Sequence, residues 1–210
     1  MCGPPERTYT RRMKLLSGGQ SGVDRAVLDV ALARGIPYGG WCPKGGWAED
    51  FPEPPGVLAK YPQLAETPLA DPAQRTEWNV RDADACLILV DVDGLAVSRG
   101  TALARDQAAH YGKPLFIAEL GAAEVGDRAA AWLGAQRATF GPDLALTIGG
   151  PRESEAPGIY ARAIAFIGAL LDRRTPSGST RNNRRVPARW VGTIKQALVS
   201  STAHGGGKRR

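Results

Sequence analysis

Three glycine-containing stretches carry the groups best suited to holding an anion. They are "SGGQSGVD" (residues 17–24), "VSRGTALA" (97–104) and "IGGPRESEAPGIY" (148–160). Consecutive free N–H groups in such turns, next to the start of a helix, form a nest for phosphate or carboxylate oxygens. Arg152 in the third stretch adds a planar guanidinium that suits the same oxygens. The chemistry indicated is non-covalent binding of an anionic ligand.

Each stretch also has a simpler interpretation. The first lacks the G-x-G-x-x-G spacing of dinucleotide-binding folds and the Gly-Lys-Ser/Thr ending of a P-loop. It could be a tight turn in which Asp24 stabilises a helix start. The second could be an N-capped helix, and the third a surface loop in which Arg152 pairs with Glu153 or Glu155. The candidate ligand contacts in the three stretches are Gly18, Gly19, Gln20, Ser21, Gly22, Asp24, Ser98, Gly100, Thr101, Gly150, Arg152 and Ser154.

The Pro- and Gly-rich segment 41–71 and the helical pattern after it add further candidates. A long irregular segment in a compact domain is often functional, and we expect this one to overhang the ligand. It supplies two stacking surfaces (Trp41 and Trp47), a point charge (Lys44) and two acids that could assist catalysis (Glu49 and Asp50), while the helix supplies Arg75 and Asn79, one turn apart. We assign no catalytic residue.

The histidines and cysteines exclude several classes of site. His110 lies inside a helical pattern and His204 near the end of the chain, so neither joins a metal-ligand cluster or a Ser/His/Asp set. Cys2, Cys42 and Cys86 have no paired spacing, which excludes a disulfide framework and a zinc pattern. Cys42 is the one candidate for a reactive thiol, and a loop cysteine with no role is the simpler interpretation, which we favour. We expect no directly bound metal, no membrane segment and a cytoplasmic location.

The elements that position these loops alternate along the chain from residue 14. Strands are predicted at "KLL", "IPYGG", "ACLILVDV", 114–119 and 144–148, and helices at 24–34, 72–83, 101–111, 127–138 and 158–171. Strands separated by helices indicate an α/β fold with a doubly wound, mainly parallel sheet and flanking helices. Ligands of such sheets lie outside the carboxyl ends of the strands. All three loops leave that edge, and their coincidence there favours anion binding.

The charge of the chain divides at its C-terminal part. The net charge is +6, yet residues 1–172 hold all 21 acids and 17 basic residues, whereas 173–210 hold ten basic residues and no acid. The domain prediction is therefore a flexible extension at 1–12, a single domain at 13–172, and a disordered basic tail at 173–210.

Five blocks, in order, resemble the putative molybdenum carrier family: "SGGQSGVDRAVLDVAL", "GGWCPKGGWAED", "RTEWNVRDADACLIL", "GTAL" and "GGPRESEAPGIY". That family belongs to the SLOG superfamily of Rossmann-like nucleotide-binding proteins, which also contains the lonely-guy phosphoribohydrolases. The resemblance implies a Rossmann-like sheet, homo-oligomers and binding of the phosphate-bearing molybdenum cofactor (molybdopterin). It points to the same loops and to Lys44, Arg75 and Asn79. Arg99 departs from the glycine usual in the family, and 173–210 have no counterpart.

Three functions stay open at this stage. The first is a carrier of the molybdenum cofactor. The second is a hydrolase that cleaves a nucleoside monophosphate; its relatives keep a glutamate where this chain has Ala104, which counts against it. The third is a nucleotide sensor or a nucleic-acid-binding protein, with the basic tail as an electrostatic arm.

Overall fold

The computed structural model describes residues 13–173, in which a parallel sheet is covered by two groups of helices. The main sheet contains β1 (Lys14–Leu16), β2 (Tyr38–Gly39), β5 (Ala85–Val90), β6 (Leu115–Glu119) and β7 (Ala145–Gly149), while β3 (Trp41–Cys42) pairs separately with β4 (Ala65–Glu66). The helices are α1 (Val23–Arg34), α2 (Pro72–Arg81), α3 (Arg99–His110), α4 (Val125–Phe140) and α5 (Ile159–Asp172). Helix α5 packs on α1 and α4, and α2 packs on α3.

Local sequence explains where these elements begin and end. All six residues of β5 are buried, which accounts for an apolar run without alternation. Helix α2 begins at Asp71, whose side chain accepts the Ala73 N–H at 2.9 Å, and Pro72 fits the first turn. Helix α1 ends at Gly35, whose φ of 60° lies in the left-handed region that glycine tolerates.

The strand order of the main sheet is β2-β1-β7-β5-β6, with every pair parallel. The last strand of the described residues, β7, therefore lies in the middle, with Leu16 opposite Thr147 on one side and Ala85 opposite Leu146 on the other. If β7 and α5 are counted as the first unit, the order becomes 3-2-1-4-5, as in doubly wound nucleotide-binding sheets. The order reverses between β7 and β5, where such sheets bind their ligands.

The structure confirms the predicted fold class, and each predicted strand and helix lies within two residues of an observed one. The 41–71 segment differs from its predicted irregular form. Besides β3 and β4, it contains 3-10 turns at 44–46 and 56–59 and has a buried anchor in Tyr61. The Tyr61 hydroxyl donates to Asp29 of α1 at 2.8 Å. The predicted extension 1–12 and almost all of the predicted tail lie outside the described residues.

Candidate functional site

A cavity of about 230 Å³ opens at the carboxyl edge of the sheet, where the strand order reverses. Its wall combines the three sequence-predicted loops with the first turns of α2: Gln20, Asp24, Pro72, Ala73, Arg75, Thr76, Ser98, Arg99, Gly100, Thr101, Leu103, Ala104, Gly149, Gly150, Arg152 and Glu155. The wall thus holds three arginines and two acids. The structure brings together eight of the candidates, namely Gln20, Asp24, Arg75, Ser98, Gly100, Thr101, Gly150 and Arg152.

The first loop holds a carboxylate of the protein itself. Asp24 is 4% exposed, and its Oδ2 lies 2.9 Å from Nη1 of Arg75. Burial raises the pKa of Asp24, and the neighbouring Arg75 guanidinium opposes that rise. Asp24 is the acid in the first turn of α1, although its side chain makes no cap hydrogen bond, and it forms a buried pair with Arg75 in the cavity wall.

Two glycines of the first loop allow other parts of the protein to pack closely against that loop. A Cβ on Gly18 would lie 2.0 Å from Arg75 Nη1, so this glycine makes room for the Asp24–Arg75 pair. Gly22 has a φ of 69°, and a Cβ there would lie 2.4 Å from the Pro151 oxygen of the third loop. Only glycine fits both conditions at residue 22. The sequence pattern interpreted as close approach of a phosphate thus reflects, at these two positions, close approach of protein atoms.

Most N–H groups of the third loop donate to other groups of the protein. The Arg152 N–H donates to Glu155 Oε2 at 2.9 Å, and the Ser154 N–H donates to Glu49 Oε1 at 3.3 Å. Glu153 accepts from the N–H groups of Gly158 and Tyr160 at the start of α5. The Arg152 guanidinium stays on the cavity wall, 5.7 Å from the centre of the Trp47 ring. Within residues 13–173 the guanidinium forms no salt bridge, so the predicted ion pair with Glu153 or Glu155 does not form. Arg152 contacts the Glu155 carboxylate only through its backbone N–H.

The start of α3 also provides N–H groups without a hydrogen-bond partner. Ser98 caps the helix and accepts the Thr101 N–H at 3.2 Å, so the simpler interpretation of this loop holds for Ser98. In the described part of the chain the N–H groups of Arg99 and Gly100 have no hydrogen-bond partner, and both residues line the cavity. The Arg99 guanidinium has no acid partner there either. A helix start with free N–H groups favours an anion.

Two polar side chains connect the loops to the 41–71 segment. Gln20 is 3% exposed, lines the cavity, and accepts the N–H groups of Ser21 and Glu49 at 3.0 Å and 2.8 Å. The Glu49 carboxylate accepts from the hydroxyls of Ser21 and Ser154. Partial burial would raise the pKa of Glu49, but these hydrogen bonds lower it overall. Ser21, Ser154 and Glu49 therefore fasten two loops together outside the cavity wall.

Several other candidates also serve structural roles. Asp50 binds Arg25 at 2.7 Å and 3.0 Å, so neither it nor Glu49 reaches the cavity. The Asn79 side chain accepts the Trp41 N–H and donates to the Trp41 and Arg75 carbonyls, which uses its hydrogen-bonding groups. Lys44 is exposed and absent from the cavity wall.

Of the two predicted stacking surfaces, only one lies near the cavity. Trp41 donates its indole N–H to Asp82 at 2.7 Å and packs edge-to-face on Trp78. Trp47 lies beside Arg152 and is half-buried. Any stacking on a ligand at this edge would therefore use Trp47.

A second, smaller space of about 40 Å³ adjoins the site beneath Asp24 and Arg75. Ala104 lines both spaces. Cys86 lines the smaller one, and burial raises the pKa of its thiol to about 12. Burial likewise raises the pKa of Cys42 to about 11, which contradicts its interpretation as a reactive thiol.

Sequence reasoning missed Thr76, Leu103 and Glu155 as parts of the wall. Glu155 was considered only as an ion-pair partner of Arg152. Thr76 lies one turn after Pro72, on the face of α2 that also carries Arg75, and this spacing could have identified it. Between residues 13 and 173, no group of His, Cys, Asp and Glu could hold a metal ion. Among the described helices, none is long and apolar enough to cross a bilayer.

Comparison with known proteins gives a family match and a similar solved structure. Residues 15–171 match the family described as circularly permutated YpsA SLOG. A crystal structure at 1.45 Å resolution, described as a putative molybdenum carrier protein from Syntrophus aciditrophicus SB, is 35% identical and superposes with a TM-score of 0.65. The match covers 77% of this chain and 96% of that chain. No curated protein matches the sequence.

Proposed function

The chain belongs to the circularly permutated YpsA SLOG family, and from this membership and the cavity we propose that it binds and carries a phosphate-bearing ligand. The family and the similar structure support a ligand-binding role. The molybdenum cofactor, molybdopterin, is our first candidate for the ligand. It is cargo in this proposal and takes no part in a reaction on the protein.

The cationic groups of the cavity wall carry the proposal. Arg99 and Arg152 line the cavity and form no salt bridge among the described residues, although the Arg152 charge also helps to lower the pKa of Glu49. The N–H groups of Arg99 and Gly100 have no hydrogen-bond partner there. Asp24 neutralises only Arg75. A phosphate between α3 and the third loop would meet two arginines and a helix start, each of which favours negative charge. The sequence prediction placed the phosphate between the first and third loops, and we now propose a position nearer to α3.

The size of the cavity limits how the cofactor would be held. A volume of about 230 Å³ is below the roughly 300–1,000 Å³ usual for drug-sized ligands, so it suits a phosphate and its immediate neighbours. We propose that the pterin extends out of the cavity beside Trp47. Cys42 and Cys86 are neutral at physiological pH and offer no thiolate to the cargo.

Ala104 favours carriage over the hydrolase alternative. In the hydrolase relatives a glutamate supports cleavage, whereas here a methyl group lines the cavity at the corresponding place. Glu49 and Asp50 are held by Ser21, Ser154 and Arg25, away from that wall. A carrier needs no positioned acid, because it binds and releases its ligand without breaking a bond. Nucleotide sensing or nucleic-acid binding through the tail has no support from the described residues.

The test combines identification of the ligand with a search for turnover. Mass spectrometry of the supernatant after denaturation should reveal a phosphate-bearing pterin or nucleotide. Incubation with adenosine, guanosine or cytidine monophosphate should release no base, while calorimetric titration should detect binding. Base release that disappears in Glu49→Gln or Asp50→Asn would contradict the carrier proposal and favour the hydrolase. We also expect a cytoplasmic homo-oligomer, which light scattering and cell fractionation would check.

A further inference from the structure

A larger cavity of about 650 Å³ lies at the opposite edge of the sheet. Its described lining comes from the segments before three strands, from the end of α1, and from α4 and α5: Met13, Arg34, Ile36, Pro37, Arg137, Gly141, Pro142 and Leu171. It shares no residue with the anion cavity at the carboxyl edge. Its volume lies within the roughly 300–1,000 Å³ usual for small-molecule sites.

The two arginines of this cavity differ in their partners. Arg34 binds both carboxylate oxygens of Asp172, at 2.5 Å and 3.0 Å. Arg137 is half-buried, and its guanidinium makes a long contact of 3.6 Å to the thioether sulfur of Met13. Throughout residues 13–173 no carboxylate pairs with Arg137. Burial lowers the pKa of Arg137, as expected for a cation that has no paired carboxylate among these residues.

The rest of the lining is mainly apolar. Met13, Ile36 and Leu171 surround the cavity together with two prolines. A partly desolvated cation in such surroundings is unfavourable unless an anion pairs with it. An occupant that supplies one anion and an apolar body would satisfy both features.

We propose that this cavity binds a small monocarboxylate with an apolar chain. A single uncompensated cation matches a single negative charge, and the planar guanidinium can hold both oxygens of a carboxylate. The apolar chain then covers the side chains of Met13, Ile36 and Leu171. This site is independent of the proposed carrier function.

Methionine methyl signals provide a direct test with octanoate as the probe. The chain has only two methionines, Met1 and Met13, so isotope-labelled full-length protein gives two methyl signals that Met13→Leu assigns. Octanoate should shift the Met13 signal saturably and leave Met1 unchanged. Each methylene added between hexanoate and octanoate should raise the affinity about fourfold. No saturable shift at Met13 would overturn the proposal, including the case in which a terminal segment of the chain fills the cavity.

Arg137→Met tests the charge pairing. This change should lower octanoate affinity roughly ten- to hundredfold and leave binding of neutral 1-octanol within about twofold, because the apolar wall remains. Arg137→Lys should recover part of the loss. Arg128 lies on the same helix over Phe116 and outside the cavity, so Arg128→Met is the matched control and should change neither ligand. Equal octanoate binding by the Arg137→Met and wild-type proteins, or equal loss in Arg128→Met, would refute the proposal.

Discussion

Replacing Arg152 by alanine tests the proposed phosphate site most directly. The guanidinium lines the cavity and has no salt bridge in residues 13–173, so its charge is available to a ligand. A unit charge at about 4 Å and an effective dielectric constant of about 20 contributes roughly 4 kcal/mol before screening by salt. A hydrogen bond to a charged group contributes roughly 1.5–3 kcal/mol. We therefore expect Arg152→Ala to lose about 2 kcal/mol, or about thirtyfold in affinity.

Isothermal titration calorimetry with the identified ligand, or with guanosine monophosphate as a probe, measures this loss. The matched control is Arg105→Ala, because Arg105 is an exposed α3 residue paired with Asp106 outside the cavity wall. It removes the same charge without removing a ligand contact. Thermal unfolding of each variant separates loss of binding from loss of structure.

Glu155→Gln provides a change of opposite sign at the same site. The Glu155 carboxylate lines the cavity and accepts the Arg152 N–H, and glutamine can still accept that hydrogen bond. Removing its negative charge should raise phosphate affinity about fivefold, or about 1 kcal/mol. Unchanged affinity in Arg152→Ala, or a loss as large in Arg105→Ala, would refute the placement of the phosphate between α3 and the third loop.

Three further changes test the framework around the site. Asn79→Leu should lower the free energy of unfolding by about 2–4 kcal/mol in urea denaturation, because Asn79 is buried and its loss leaves the part-buried N–H and carbonyl of Trp41 without their side-chain partner. A loss below about 0.5 kcal/mol would contradict this role. The pKa of Glu49 is lower in the folded protein, so its contribution to the free energy of unfolding is present above its unfolded pKa and is lost as the pH falls through the folded pKa. Glu49→Gln should therefore lower the free energy of unfolding by about 1 kcal/mol at pH 7 and by less near pH 3. A loss of stability independent of pH would refute the argument. Deleting residues 174–210 should leave the thermal midpoint within a few degrees and ligand affinity intact, and a large loss in either would show that this segment stabilises the domain.

The elements of the fold were predictable because each carries a local signal. The apolar β5 run, the Asp71-Pro72 helix start and the Gly35 stop are set by burial, capping and backbone freedom within a few residues. The position of β7 in the sheet was not predictable. It depends on pairing between Leu16 and Thr147, which are far apart in the chain, and no local pattern specifies that choice.

The loops of the candidate site were recognisable, but the partners of their N–H groups were not. Glu49 contacts Ser154, and these residues are separated by 105 positions. Such contacts arise only when the 41–71 segment packs on the two loops. Glycine spacing alone cannot distinguish a phosphate from the protein's own carboxylates, because both accept the same N–H groups.

The central place of β7 bears on how the chain folds during synthesis. Without residues 145–149, the observed sheet would divide into two strand pairs, β1 with β2 and β5 with β6, each with an edge that lacks its neighbour. Closing the sheet brings together Leu16 and Thr147, which are 131 positions apart. The loop that must close contains nearly the whole domain, and its entropy cost arises only when β7 pairs with β1. A nascent chain that stops before β7 therefore exposes two apolar strand edges at once, and those edges invite pairing with other chains. The strand β7 joins the two halves of the sheet and pairs with both of these edges.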